Sequence, residues 1–240
     1  MKLRTIIIIL FCLNMSVIGT IIGAFLSISV KKPSRTLLGK SLGFSGGIML
    51  TMTFCELIPE AIKIQGINNF MVFFSLGVLV ILIISYISTF CNKSNNIRIA
   101  MMVALGFMLH NFPEGLIMGL GFMAGNGLGI KMSILIAMHD IPEGIAVAAP
   151  LLYSNVKKKK VMLYVLATTM PALIGAIIGI AIGAVSPFIM ASSLSLAAGI
   201  MSYVVLFEII PESREIIGVK GSSIYLLLGA LIGILMIKFF

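Results

Sequence analysis

From Val161 to Phe207 the chain carries no charged residue and no histidine. Drawn as one helix, this stretch would measure about 70 Å, twice the apolar thickness of a bilayer. It must fold back on itself, and Gly183-Ala184-Val185-Ser186-Pro187 is the natural turn. The rest of the sequence is of the same kind. Hydrophobic residues make up 60% of the 240 residues and charged ones 10%, too greasy for a single water-exposed core. These proportions exclude a soluble enzyme, a disordered chain and a disulfide scaffold. The apolar residues come in unbroken runs rather than in alternation, which excludes a transmembrane barrel. The expected fold class is all-α: one polytopic membrane domain over residues 1–240.

Reading the runs gives eight spans, at roughly 5–30, 36–62, 68–91, 97–124, 129–154, 160–184, 187–210 and 221–240. Met1-Lys2-Leu3-Arg4 followed by Thr5–Cys12 imitates a signal peptide. The apolar run continues to Val30, however, so it reads as a first span retained in the mature protein. The net charge of +9 would suggest nucleic acid in a soluble protein. Here it reads as orientation, with no nucleic-acid partner. Lys31, Lys32, Arg35, Lys40, Lys93, Arg98, Lys157 to Lys160, Arg214 and Lys220 fall in the odd-numbered loops. Only Lys2, Arg4, Lys63, Lys131 and Lys238 fall on the other side. The positive-inside bias then places the odd loops in the cytoplasm and both termini outside the cytoplasmic membrane. Cys12, Cys55 and Cys91 form no CxxC pair and read as buried small apolar residues or free thiols.

The chain repeats itself twice. Gly47-Ile48-Met49 and Glu56-Leu57-Ile58-Pro59-Glu60 recur as Gly199-Ile200-Met201 and Glu208-Ile209-Ile210-Pro211-Glu212, always 152 residues on. Met108-Leu109-His110-Asn111-Phe112-Pro113-Glu114-Gly115 recurs as Met138-His139-Asp140-Ile141-Pro142-Glu143-Gly144, with histidines, prolines, glutamates and glycines all offset by 29. Spans two and seven, and spans four and five, then cross the bilayer in opposite senses. That is the signature of inverted repeats around a midplane site.

The two histidines of the chain, His110 and His139, each precede a glutamate by four residues. On a helix this puts His110 with Glu114, and His139 with Glu143, on one face. Asn111 and Asp140 reach the same glutamates from the neighbouring row. Pro113 and Pro142 withhold an N–H from the carbonyls of Leu109 and Met138 and bend their helices beside these polar groups. A bare carboxylate at mid-bilayer costs about 2.5–3.5 kcal/mol. No lysine or arginine lies at matching depth on spans four and five, so the compensating charge is a proton or a cation. Imidazole with carboxylate suits a divalent transition metal, with zinc, iron and manganese all open. Met49, beside the repeat glutamate, adds a soft thioether. The other methionines read as core filling, and Lys157–Lys160 as a cytoplasmic anchor. A proton relay, a metal-independent channel and a proton-coupled solute carrier are the competing readings. An intramembrane metalloprotease is disfavoured because no H-E-x-x-H occurs.

At these motifs, H-N-x-P-E-G and H-D-x-P-E-G on consecutive spans, the sequence resembles the ZIP family of divalent-metal transporters, in its compact prokaryotic form. The resemblance implies a transporter rather than an enzyme. It moves zinc, iron, manganese or cadmium toward the cytoplasm as cargo, with no prosthetic group. It also implies an inner bundle of spans two, four, five and seven that slides as an elevator in a homodimer. His110, Glu114, His139 and Glu143 would form the main site with Met49 close by, and Asn111, Asp140 and the two glutamates a neighbouring second site. Many two-metal members carry a glutamate just before a proline in span six, where this chain has Met170 before Pro171.

Overall fold

The computed structural model describes residues 3–29, 34–89, 95–124, 128–182 and 187–239. The described residues are helical throughout, apart from short connecting segments. In chain order they form α1 (Leu3–Ser29), α2 (Arg35–Met52), a π-helical segment (Thr53–Leu57), α3 (Ile58–Thr89), α4 (Asn95–Ala124) and α5 (Leu128–Tyr153). There follow α6 (Lys158–Ile182), α7 (Pro187–Tyr203), a second π-helical segment (Val204–Ile209) and α8 (Ile210–Phe239). In an apolar chain every backbone polar group must be satisfied within the segment, and helices do this. The expected fold-back at 183–187 falls largely on residues outside those described.

Polar residues manage the ends. Ser34 caps α2, its hydroxyl accepting from the Leu37 N–H at 3.1 Å. Between α5 and α6, Asn155 adopts a left-handed conformation (φ 59°). The N–H groups of Asn155 and Val156 return to the carbonyls of Leu152 and Leu151, both at 3.0 Å. This is the Schellman closure, with asparagine in the place usually taken by glycine.

Two stretches run past the expected span ends. Helix continues from the first π-helical segment to Gly66, where φ 79° and ψ 163° break it, and from the second to Gly218, broken at φ 73° and ψ 165°. The polar segments after Glu56 and Glu208 thus complete their helices rather than forming loops. Three stretches of the described residues are long and apolar enough to cross a membrane: Arg35–Ile87, Lys158–Ala181 and Pro187–Lys238.

The most extensive pairings among the described residues are α2 with α8, α4 with α6, α1 with α5 and α3 with α7; α4 also packs on α5, α2 on α5 and α7 on α4. Glycines set the closeness. A Cβ at Gly47 would overlap the Leu226 carbonyl, and one at Gly199 the Phe74 carbonyl. Gly115 and Gly119 meet the carbonyls of Ala172 and Ala176, as Gly19 and Gly23 meet those of Ala137 and Ile141. Contact positions advance together along both chains, so α1 runs parallel to α5 and α4 parallel to α6. Small residues four apart let backbones touch in this way.

The largest core cluster joins Leu38, Leu42 and Met49 of α2, Phe107 of α4, Ala146–Ala149 and Leu151 of α5, and Ile200–Met201 of α7 with the π-helical residues after it. It lies toward the start of α2 and the end of α5. Toward the opposite ends the packing divides into separate clusters around Met118 and Ile136, around Ile48 and Met236, and around Phe70 and Leu194. Exposed apolar side chains crowd α3 (Val72, Leu79, Tyr86), α6 (Leu163, Ile174, Ile177) and α8 (Leu227, Leu231, Ile234).

Candidate metal centre

The polar residues of the 29-residue repeat lie on α4 and α5. Asn111 and Glu114 stand on α4, Asp140 and Glu143 on α5, and the two helices pack together. All four are buried, with Asp140 at 0% and Glu143 at 1% exposure. Their burial follows from the flanking sequence. Gly115 rests on the Ala172 carbonyl of α6 and Gly144 on the Thr20 carbonyl of α1, so each acid-bearing helix is pressed between two neighbours. Both helices continue through their prolines. Pro142 still leaves the Met138 carbonyl without the donor an ordinary helix supplies, one residue before His139.

Asn111 is held firmly. Its Nδ2 donates to the Thr168 carbonyl of α6 at 2.9 Å, and Thr168 in turn donates its hydroxyl to the Val165 carbonyl at 2.7 Å. This fixes the amide so that Oδ1 is the acceptor left over. Oδ1 is buried and has no hydrogen-bond partner among the described residues. A buried acceptor in that state is costly, and a bound cation is one way to satisfy it. Thr168 was not singled out from the sequence, although a Thr-Thr pair just before Met170-Pro171 in an otherwise apolar span is a visible signal.

Met49 lies on α2, 2% exposed, in the main core cluster, and α2 packs on α5. His110 and His139 lie on α4 and α5, one residue before Asn111 and Asp140. Their side chains are outside the described set. Among the side chains that are described, no group of three His, Cys, Asp or Glu is close enough to hold a metal. Met170 is 44% exposed, on the outside of α6. Of the cysteines, Cys55 is exposed and free, not buried.

The repeat glutamates sit in the π-helical segments. Glu208 is buried and accepts from the Ser85 hydroxyl at 3.2 Å, whereas Glu56 is half-buried. A π-helical turn widens the helix and frees backbone groups, and such turns recur at functional positions.

Long apolar helices with exposed apolar faces, and carboxylates buried on two packed helices, are the features of a polytopic membrane protein with functional intramembrane acids. A family model described as ZIP zinc transporter matches residues 90–240. Two relatives, each called zinc transporter ZupT, are similar over most of their length. That of Shigella flexneri is 30% identical over 217 residues, covering 82% of this chain and 83% of the relative. That of Escherichia fergusonii is 29% identical with the same coverage. The chain belongs to the ZIP zinc transporter family. Its members are transporters rather than enzymes, and the metal ion is their cargo rather than a prosthetic group.

Proposed function

We propose that this chain carries zinc across the cytoplasmic membrane into the cytoplasm, binding it between α4 and α5. His110, Glu114, His139 and Glu143 are the main ligands, with Met49 approaching from α2. Asn111 and Asp140 extend the site, and iron and manganese are the other ions this donor set accepts. The observation that carries the proposal is the burial of Glu114, Asp140 and Glu143 on two helices that pack together. Zinc is favoured because the similar curated proteins bear the name zinc transporter.

The architecture we propose is eight spans in two inverted halves. Three observations support it. Gly66 and Gly218, 152 residues apart, each divide a helical stretch of more than 50 residues, too long for one crossing. The two π-helical segments stand at nearly the same offset. The helix pairings also map onto one another: α1 on α5 matches α6 on α4, and α2 on α8 matches α7 on α3. These pairings collect α1, α4, α5 and α6 into one unit and α2, α3, α7 and α8 into another, with the site's helices at their junction. Sliding of the first unit against the second, in a lipid-embedded homodimer, would move the ion. With the odd loops and their lysines in the cytoplasm, the continuous core closes the cytoplasmic end, and the divided clusters lie at the outer end.

The test is zinc uptake into proteoliposomes loaded with a zinc-sensitive dye. Wild-type protein should fill the vesicles, and His110→Ala and Glu143→Ala should each lower the rate by at least about tenfold. Uptake indifferent to both substitutions would falsify the site.

A further inference from the structure

The 152-residue repeat that places Met49 on α2 places Met201 on α7. Both methionines are buried, at 2% and 3% exposure, in the same core cluster. Each stands two residues after a glycine on which a neighbouring backbone rests, the Leu226 carbonyl at Gly47 and the Phe74 carbonyl at Gly199. The two helices are thus seated against their outer partners in the same register. The inner contacts correspond as well, since α2 packs on α5 and α7 on α4.

The contact of α7 with α4 fixes the depth of Met201. Val204 sits over Gly106, where an added Cβ would come within 2.5 Å of Val204 Cγ2. Met201 lies one turn before Val204, on the same helix face. In the eight-span reading α4 and α7 run in opposite directions. One turn back along α7 is therefore one turn forward along α4, from Gly106 to the level of His110. The next residue, Asn111, holds the buried Oδ1 that has no hydrogen-bond partner among the described residues. In the opposite half the corresponding contact lies about one turn further along α5. Met52, the repeat mate of Val204, packs in one cluster with Met138, the neighbour of His139.

We infer that Met201 is a thioether ligand to the cargo ion on the α4 side of the site, the counterpart of Met49 on the α5 side. The inference rests on the metal-transport reading and adds a residue to it. Two neutral sulfur donors on the two inner helices of one unit would face an ion carried by α4 and α5 of the other. A thioether needs no deprotonation and binds weakly, so it can accept and release an ion as the units slide. It also discriminates, since sulfur prefers zinc to the harder manganese.

Leucine matches methionine in volume and apolarity, so Met201→Leu removes the sulfur and keeps the packing. Zinc and manganese binding to the detergent-solubilised full chain would be titrated in parallel, alongside uptake of each metal into proteoliposomes. Met201→Leu should lower the zinc-to-manganese preference about tenfold in both measurements. Met201→Cys, which restores a sulfur in a smaller side chain, should recover most of that preference. A preference unchanged in Met201→Leu, or one that follows side-chain volume rather than sulfur, overturns the inference. Wild-type protein that binds neither metal would instead defeat the transport reading, before any variant is made.

Discussion

A single amide shows how much this site depends on atoms rather than on residue types. The Asn111 Nδ2 is committed to the Thr168 carbonyl at 2.9 Å, which leaves Oδ1 as a buried acceptor with no hydrogen-bond partner among the described residues. Asn111→Leu removes both functions. It should cost about 1–3 kcal/mol, because the Thr168 carbonyl loses a buried donor, and it should also weaken zinc binding. The check is a melting curve of the purified variant with and without zinc: the melting midpoint should fall, and the stabilisation by zinc should shrink. The sequence marks Asn111 as a candidate through its place beside His110. The Thr168-Thr169 pair marks the place on α6, but the sequence does not reveal the bond from Asn111, because α6 is remote in the chain and a backbone carbonyl has no sequence signature.

At the scale of the element, two kinds of glycine carry different burdens. Gly66 lies at φ 79° with open space where its Cβ would go, so its role is purely conformational. Gly66→Ala should cost about 1–3 kcal/mol, because φ 79° with ψ 163° is a conformation that only glycine adopts readily. Gly47 is helical, but a Cβ there would overlap the Leu226 carbonyl and lie 2.8 Å from the Ala230 nitrogen. Gly47→Ala must push α2 away from α8, and it should destabilise the protein more than Gly66→Ala. Thermal unfolding of the two variants in the same detergent gives the order, and the reverse order would contradict the packing described. The end of each long helix is legible from a polar Gly-containing segment. The π-helical turns are not, because widening a helix by one residue leaves no compositional trace around Glu56 or Glu208.

Across the whole molecule the packing is unequal at the two ends. One continuous cluster joins α2, α4, α5 and α7 at the end where α5 meets α6, while the other end is divided. Transport requires that the closed end separate, and the Gly106–Val204 contact lies within it. Gly106→Leu should wedge α4 from α7, with an overpacking cost of about 1–3 kcal/mol, and should slow zinc uptake while leaving zinc binding measurable by titration. Protons compete for the same ligands, because imidazole and carboxylate bind metal only when deprotonated. Zinc binding should therefore be strongest at neutral pH and weaken steadily as pH falls. A titration series in buffered detergent, showing affinity flat or rising toward acid, would refute carboxylate–imidazole ligation.

The sequence by itself determined that the chain is helical and lives in a membrane, because apolar runs of this length have no other way to satisfy their backbones. It also determined which polar residues stand on one helix face, because helical spacing is a local property. The 152- and 29-residue repeats were legible for the same reason, as they need only the order of residues. Only the tertiary structure decided which helices touch, with α1 on α5 and α4 on α6. Those contacts turn on glycines meeting carbonyls far away in the chain. It alone decided that Asn111 spends its donor on α6 and that Val204 lies over Gly106 of α4, since burial and orientation at a helix–helix contact arise from two segments that the sequence lists far apart.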